Sequence, residues 1–337
     1  MVSKRVCIIG AGVAGITTAY ILLKKCPKVE LTLVSKEFCE HSTSWVAAGF
    51  LADAPIRNEK LRTWVMNTKA FLEDLLKSGE APTWGVYTAL GYRVSFNEID
   101  DFDQILEYDI VKELSKEEIK KIFPKLDVKE FKKALLINAL FCNPMVFLPH
   151  IYKEVKEMGG KFIKKDIKHL AEIKGFDCLI NCSGFGAKQL FHDNTIHAVR
   201  GQVVQIKAPF FHYWYHIGSD IYAFPDPNGI VKLGGSFQMD NISKEIDENL
   251  KNRILENATR LVPSFKNAEF VEDLVGLRPL REDGPRVEIE EVIVEHKPLK
   301  VVHNYGYGRA GYSFFWGCSK DAVNLVIEEL FTQISKY

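Results

Sequence analysis

The stretch VCIIGAGVAG, residues 6–15, decides how the chain folds. Val6, Cys7, Ile8 and Ile9 are consecutive apolar residues, the pattern of a parallel strand buried on both faces. Gly10, Gly12 and Gly15 follow at GxGxxG spacing, and Ile16 to Lys25 continues with helical periodicity. Each glycine answers a different steric demand. The first permits a tight turn, the second lets a diphosphate approach the backbone, and the third lets helix pack on strand. The helix N-terminus then faces the anion. Strand, turn and helix in this succession define a dinucleotide site for FAD or NAD(P), cradled by Gly10, Ala11, Gly12, Val13, Ala14 and Gly15.

Residues 6–23 carry no charge and follow Lys4-Arg5, which is also the outline of a signal peptide or a short membrane span. Glycines and threonines interrupt the run, and Lys24-Lys25 leads into an amphipathic strand, not a small-residue cleavage site. The chain therefore reads as soluble. Its 337 residues suggest about two domains. The 44 basic residues balance 44 acidic ones, which leaves no electrostatic footprint for nucleic acid or an anionic membrane. Seven cysteines, an odd number without a CxxC pair, read as free thiols and not as a metal site.

Leu31 to Val34 is the second strand. A carboxylate about 20 residues past the last glycine should hold a ribose hydroxyl; this chain has Ser35 and Lys36 there. Ser35 can bond a hydroxyl, and Lys36 suits a phosphate, which keeps NADP open. In STSWVAAGF, residues 42–50, the hydroxyls of Ser42, Thr43 and Ser44 precede Ala47, Ala48, Gly49 and Phe50. That set suits a pyrophosphate or a flat ring, and equally an ordinary helix N-cap cluster. Helical spacing over about residues 57–78 is closed by Gly79. Cys178 to Asn181 is a further buried strand, running into Cys182-Ser183-Gly184, whose amides lie beside a nucleotide bound at the first turn.

Residues 198–240 change character, with short β segments between proline and glycine turns. Phe210, Phe211, Tyr213, Trp214, Tyr215 and Tyr222 crowd this region. Such a stripe is more often core, yet the interruptions at His216, Gly218 and Ser219 suggest a loop over a cavity. VGLRPLREDGPR, residues 275–286, is stiff and cationic. Arg278 precedes Pro279 and is biased to extended geometry, which suits bidentate capture of a carboxylate. The alternative is a structural ion pair with Glu282 or Asp283. VVHNYGYGRAGYSFFWGC, residues 301–318, repeats strand and glycine turn, ahead of a closing helix from Cys318 to Ser335.

Taken together, these segments resemble the D-amino-acid oxidase family of FAD flavoenzymes from end to end. The residues that carry the resemblance are GAGVAG (10–15), VAAG (46–49), NCSG (181–184), RGQ (200–202), YAFP (222–225), GLRP (276–279) and NYGYGRAGY with FWG (304–317). The resemblance implies an α/β fold: a Rossmann-type FAD-binding domain of residues 1–55, 140–198 and 275–337, interleaved with a β-rich substrate domain of residues 56–139 and 199–274. It implies non-covalent FAD against the first glycine turn, with Ser35, Lys36, Thr43, Ser44, Gly49, Phe50, Ile167, Ser183 and Gly184. Arg278, Gly308, Arg309, Ala310, Gly311, Tyr312 and Ser313 complete that set.

By the same resemblance Arg278 and Tyr222 hold the substrate α-carboxylate, Arg309 lies near the reacting groups, and Tyr213 or Tyr215 is a lid tyrosine. The implied reaction is oxidative deamination of a D-amino acid. The α-hydrogen leaves as hydride to the flavin, dioxygen becomes hydrogen peroxide, and the imino acid hydrolyses to a 2-oxo acid and ammonia. The aromatic segment leans toward neutral substrates. Arg309 points to D-aspartate as the alternative, although Phe237 stands where aspartate-preferring relatives tend to carry arginine. Lys36 motivates an NAD(P)-linked dehydrogenase as a third expectation. The tail Ser335-Lys336-Tyr337 resembles the peroxisomal Ser-Lys-Leu address. Partners are the amino acid and dioxygen, with a homodimer left open.

Overall fold

A computed structural model describes residues 3–51, 56–96, 109–127, 131–219 and 221–332; the 335–337 tail lies outside them. The chain builds two sheets. The first has six strands in the order β14-β15-β7-β1-β2-β6. These are β1 (Arg5–Ala11), β2 (Glu30–Phe38), β6 (Lys161–Lys164), β7 (Cys178–Asn181), β14 (Arg286–Val294) and β15 (Lys297–Tyr305). All neighbours are parallel except β14 and β15. Val6, Cys7 and Ile8 are fully buried in β1, and burial of such side chains stabilises by about 1.5–3 kcal/mol each. The connections leave β1 to β2 on one side and to β7 on the other. The glycine turn therefore sits at the switch point, where open α/β sheets bind ligands.

The second sheet has nine strands, ordered β12-β8-β11-β10-β9-β3-β5-β4 with β13 also paired to β8. They are β3 (Val86–Ser95), β4 (Asp109–Glu113), β5 (Lys133–Cys142), β8 (Ile196–Lys207), β9 (Trp214–Ile217), β10 (Ile221–Pro225), β11 (Ile230–Gly234), β12 (Gln238–Met239) and β13 (Glu269–Arg281). The helices are α1 (Val13–Lys25), α2 (Thr43–Val46), α3 (Glu59–Ser78), α4 (Ala81–Trp84), α5 (Lys116–Ile122), α6 (Pro144–Glu157), α7 (Ala187–Leu190), α8 (Glu248–Leu261) and α9 (Gly311–Ile327). Among the described residues no helix is long and apolar enough to cross a membrane. All seven cysteines are reduced.

Helix α3 packs on α9 through Leu61 and Trp64, in a core cluster that also takes in Val86 of β3 and Leu140 of β5. Trp64 Nε1 donates to Asp321 of α9 at 2.6 Å, a tie that hydrophobic periodicity does not reveal. Helix α9 begins at Gly311, well before Cys318. The 210–217 segment is not all loop, although His216 and the nearby Ser219 line the cavity described below. Its last residues form β9, a central strand paired with both β3 and β10.

Candidate active site

A cavity of about 1010 Å³ opens between the sheets, from the β1 turn to the face of β8, β10 and β13. At one end Gly10 has φ +95°, and a Cβ there would lie 2.3 Å from the Cys182 carbonyl oxygen. A Cβ on Gly15 would lie 1.9 Å from the Gly10 carbonyl oxygen, so helix and turn touch backbone to backbone. Gly12 is the N-cap of α1 without a side-chain cap, and the first turn holds no acid. That end of the helix dipole is positive and faces the cavity. The Val13 amide donates to Ser44 Oγ at 2.9 Å, which ties the 42–50 stretch to the glycine turn. Ser42 is the N-cap of α2, but its Oγ donates to the Cys39 carbonyl at 2.6 Å and caps no amide, while Thr43 and Ser44 line the cavity.

Ser35 lies within β2, where it accepts from the Ala11 amide at 3.3 Å and donates to the Glu37 carbonyl at 2.7 Å. Lys36 is paired with Asp166 at 3.4 Å, so its cation is already engaged at the exposed rim. Ser183 Oγ donates to Asn181 Oδ1 at 2.6 Å. Replacing Ser44 with alanine removes an acceptor of the Val13 amide, and such caps contribute about 0.5–2 kcal/mol. The dissociation constant for FAD, titrated by flavin fluorescence, is expected to rise about two- to thirtyfold.

The second glycine turn closes the same cavity. Gly306 and Gly308 have φ of +89° and +58°, and the Gly308 amide donates to the Pro279 carbonyl at 2.8 Å. Ala310, the N-cap of α9, makes no side-chain cap. Ser313 Oγ, buried on the cavity wall, has no hydrogen-bond partner among the described residues. Two uncapped helix N-termini, a cradle with no room for Cβ atoms and an orphaned hydroxyl together fit a long, diphosphate-bearing cofactor such as FAD.

At the other end Arg278 lies on β13. Its Nη1 donates to the Ser236 carbonyl at 3.0 Å. The guanidinium rests on Gly201, where a Cβ would come within 2.3 Å of it. No carboxylate forms an ion pair with Arg278 among the described residues. Glu282 goes to His197 at 3.1 Å and Asp283 to Arg281 at 3.5 Å, which removes the structural-pair alternative. Tyr222, on β10, stacks on Phe224 with ring centroids 4.8 Å apart. Burial pushes its phenol pKa up, against the opposing pull of the Arg278 guanidinium beside it. At neutral pH it stays a hydroxyl that can donate.

Nearly all the residues proposed from sequence line this one cavity. Gly15 sits behind it, packed on Gly10. Tyr213 and Tyr215 do not reach it. Tyr215 is fully buried in the second core beside Phe211, Phe123 and Ile217, with Tyr213 against the same cluster. Neither is a lid. Side chains alternate across a strand, and on β9 the cavity-facing position is His216. His216, Ser219 and Phe237, singled out in the sequence, line the cavity, together with Ser236 and Lys244, which were not. Arg309 is exposed at the rim.

A glycine-cradled dinucleotide cavity meeting an arginine–tyrosine pair on an adjoining sheet defines a flavin-type oxidoreductase. The family model for FAD dependent oxidoreductases, DAO, matches residues 5–325, and the chain belongs to that family. It is 33% identical to a D-aspartate oxidase of Homo sapiens, over 97% of this chain and 96% of that one. It is 30% identical to a D-amino acid oxidase of Dugesia ryukyuensis, over 96% and 98%. Among solved structures, glycine oxidase from Geobacillus kaustophilus superposes with a TM-score of 0.78 at 18% identity, over 96% of this chain and 95% of that one. That likeness is one of fold.

Proposed function

We propose that the protein is an FAD-dependent oxidase that deaminates D-amino acids to 2-oxo acids, ammonia and hydrogen peroxide. The observation that carries this is Arg278: a guanidinium on the cavity wall, braced by Ser236 and resting on Gly201, with no carboxylate of its own among the described residues. Its donors suit both oxygens of an α-carboxylate, and the Tyr222 hydroxyl supplies another donor. The bound cofactor supplies the acceptor for the substrate's α-hydrogen and the route of electrons to dioxygen. The protein's own part is to anchor the carboxylate, hold the Cα in one orientation and exclude water from the cleft. The relatives named above support the D-amino acid class. Purified protein is expected to be yellow and to consume oxygen with D-alanine or D-aspartate but not with their L-forms. A colourless protein, or one turning over only the L-forms, overturns the assignment.

A second reading, dicarboxylic D-amino acids, is favoured by the lining. Phe211, Tyr213, Trp214 and Tyr215 of the aromatic segment that argued for neutral substrates pack into core clusters, and of its described residues His216, Ser219 and Tyr222 line the cavity. Lys244 and Arg309 put exposed cations on the cavity lining, and the carboxylates that line it, Glu37 and Asp166, lie beside Lys36 and Lys164 near the tip of the second strand. Lys244→Ala is expected to raise KM for D-aspartate about two- to fivefold, as for an exposed ion pair, and to leave KM for D-alanine unchanged. Equal effects on both substrates remove this second reading.

A further inference from the structure

Lys232, on β11, is a buried lysine. It is 7% exposed and forms no ion pair among the described residues. Its register partners are Phe224 on β10 and Gln205 on β8, which puts it on the sheet face that carries Tyr222. Its Nζ donates to the Ala47 carbonyl at 2.6 Å. Desolvation lowers its pKa to about 8, with Asp226 and Glu272 opposing, so it is mostly charged at neutral pH. A buried cation without an ion-pair partner costs stability, and an apolar side chain of similar volume would be the cheaper filling.

What the cation holds gives the reason. Residues 46–50 form the cavity wall between the two helix N-termini. Their far flank is hung on β5. The Cys142 amide donates to the Gly49 carbonyl at 2.9 Å, and the Leu51 amide to the Leu140 carbonyl at 3.1 Å. A Cβ on Gly49 would lie 1.9 Å from the Cys142 carbonyl oxygen, so that flank cannot slide. The near flank is held to β11 by Lys232. The same strand ends at Gly234, which abuts the Tyr222 ring so closely that a Cβ there would lie 2.2 Å from it. One strand thus braces both the wall of the cofactor cavity and the phenol of the substrate site.

We propose that Lys232 is a positioning residue: its ammonium, by holding the Ala47 carbonyl, sets the spacing between the 46–50 wall and the sheet bearing Tyr222, and so the fit of the flavin. This rests on the FAD reading above. Lys232→Met keeps the volume and removes the donor, and Lys232→Gln keeps a shorter donor. In the Met variant FAD is expected to bind about tenfold more weakly, as for loss of a charge-assisted hydrogen bond. The visible flavin band should shift, and the apoprotein should melt at the same or a higher temperature. The Gln variant should fall between.

Weaker cofactor binding in an apoprotein of undiminished stability is not what a merely structural lysine would produce. Unchanged FAD affinity and flavin spectrum in both variants overturn the proposal. So does a lowered apoprotein melting temperature with unaltered affinity of the folded fraction. Failure of the wild-type chain to bind FAD would instead overturn the parent reading, which keeps the two outcomes distinct.

Discussion

Replacing Arg278 with alanine is expected to lower kcat/KM for a D-amino acid by about 30- to 3,000-fold, the equivalent of about 2–5 kcal/mol. On the proposed reading the guanidinium would meet an α-carboxylate in the bound substrate and in the transition state alike. Most of the loss should therefore appear in KM. A smaller fall in kcat should accompany it, because a substrate held by Tyr222 alone no longer keeps its Cα aimed at one place. Flavin content should be unaltered, since the first glycine turn and the Ser44 bond lie at the other end of the cavity. Lysine should rescue poorly, being a point donor where the geometry suits a planar fork. Steady-state kinetics on flavin-loaded protein decide the matter. Unchanged KM in the alanine variant would show that the carboxylate sits elsewhere.

Why the place of Arg278 on the cavity wall was legible, when the cavity-facing residue of 210–217 was not, comes down to what each signal encodes. The proline after Arg278 constrains its own backbone, and the prediction of an extended segment is met by β13. The GxGxxG turn is equally local. Its strand, turn and helix lie within 25 residues of one another and state their geometry outright. Aromatic density in residues 210–217 carries no such information. It says that rings are buried, not which face of a strand buries them. A shift by one position exchanges cavity for core, and that shift separates Tyr215 from His216.

Lys232 was invisible for a related reason. A lysine flanked by Val231 and Leu233 reads as the solvent face of an edge strand, whereas β11 is interior and both its faces are covered. The partners that brace the site, Gly201 under Arg278 and Gly234 beside Tyr222, are contacts between strands. No spacing within one segment discloses them.

Gly15→Ala should abolish retention of FAD and lower the melting temperature, against the ordinary direction of that substitution. Alanine inside a helix normally stabilises by about 1 kcal/mol relative to glycine. Gly15 lies in α1, so propensity alone forecasts a gain. Sterics reverse the sign. The added Cβ would sit 1.9 Å from the Gly10 carbonyl oxygen and 3.3 Å from the Cys182 side chain, and the first of these is backbone that no rotamer can move. Helix α1 must back away from the turn, at the cost of about 1–3 kcal/mol that overpacking carries. Gly10 is itself held by its positive φ and by Cys182, so the strain is not shared. Displacement of α1 carries its N-terminal amides away from the diphosphate position, and cofactor binding fails with it. Gly12→Ala is the informative companion. Its Cβ would meet only Ser44 Oγ, at 3.0 Å, so folding should survive while the diphosphate loses its approach to the backbone. Absorbance at the flavin band after purification, together with thermal melts of both variants, reads the two effects separately. A yellow Gly15→Ala protein with a raised melting temperature would show that helix and turn do not touch there.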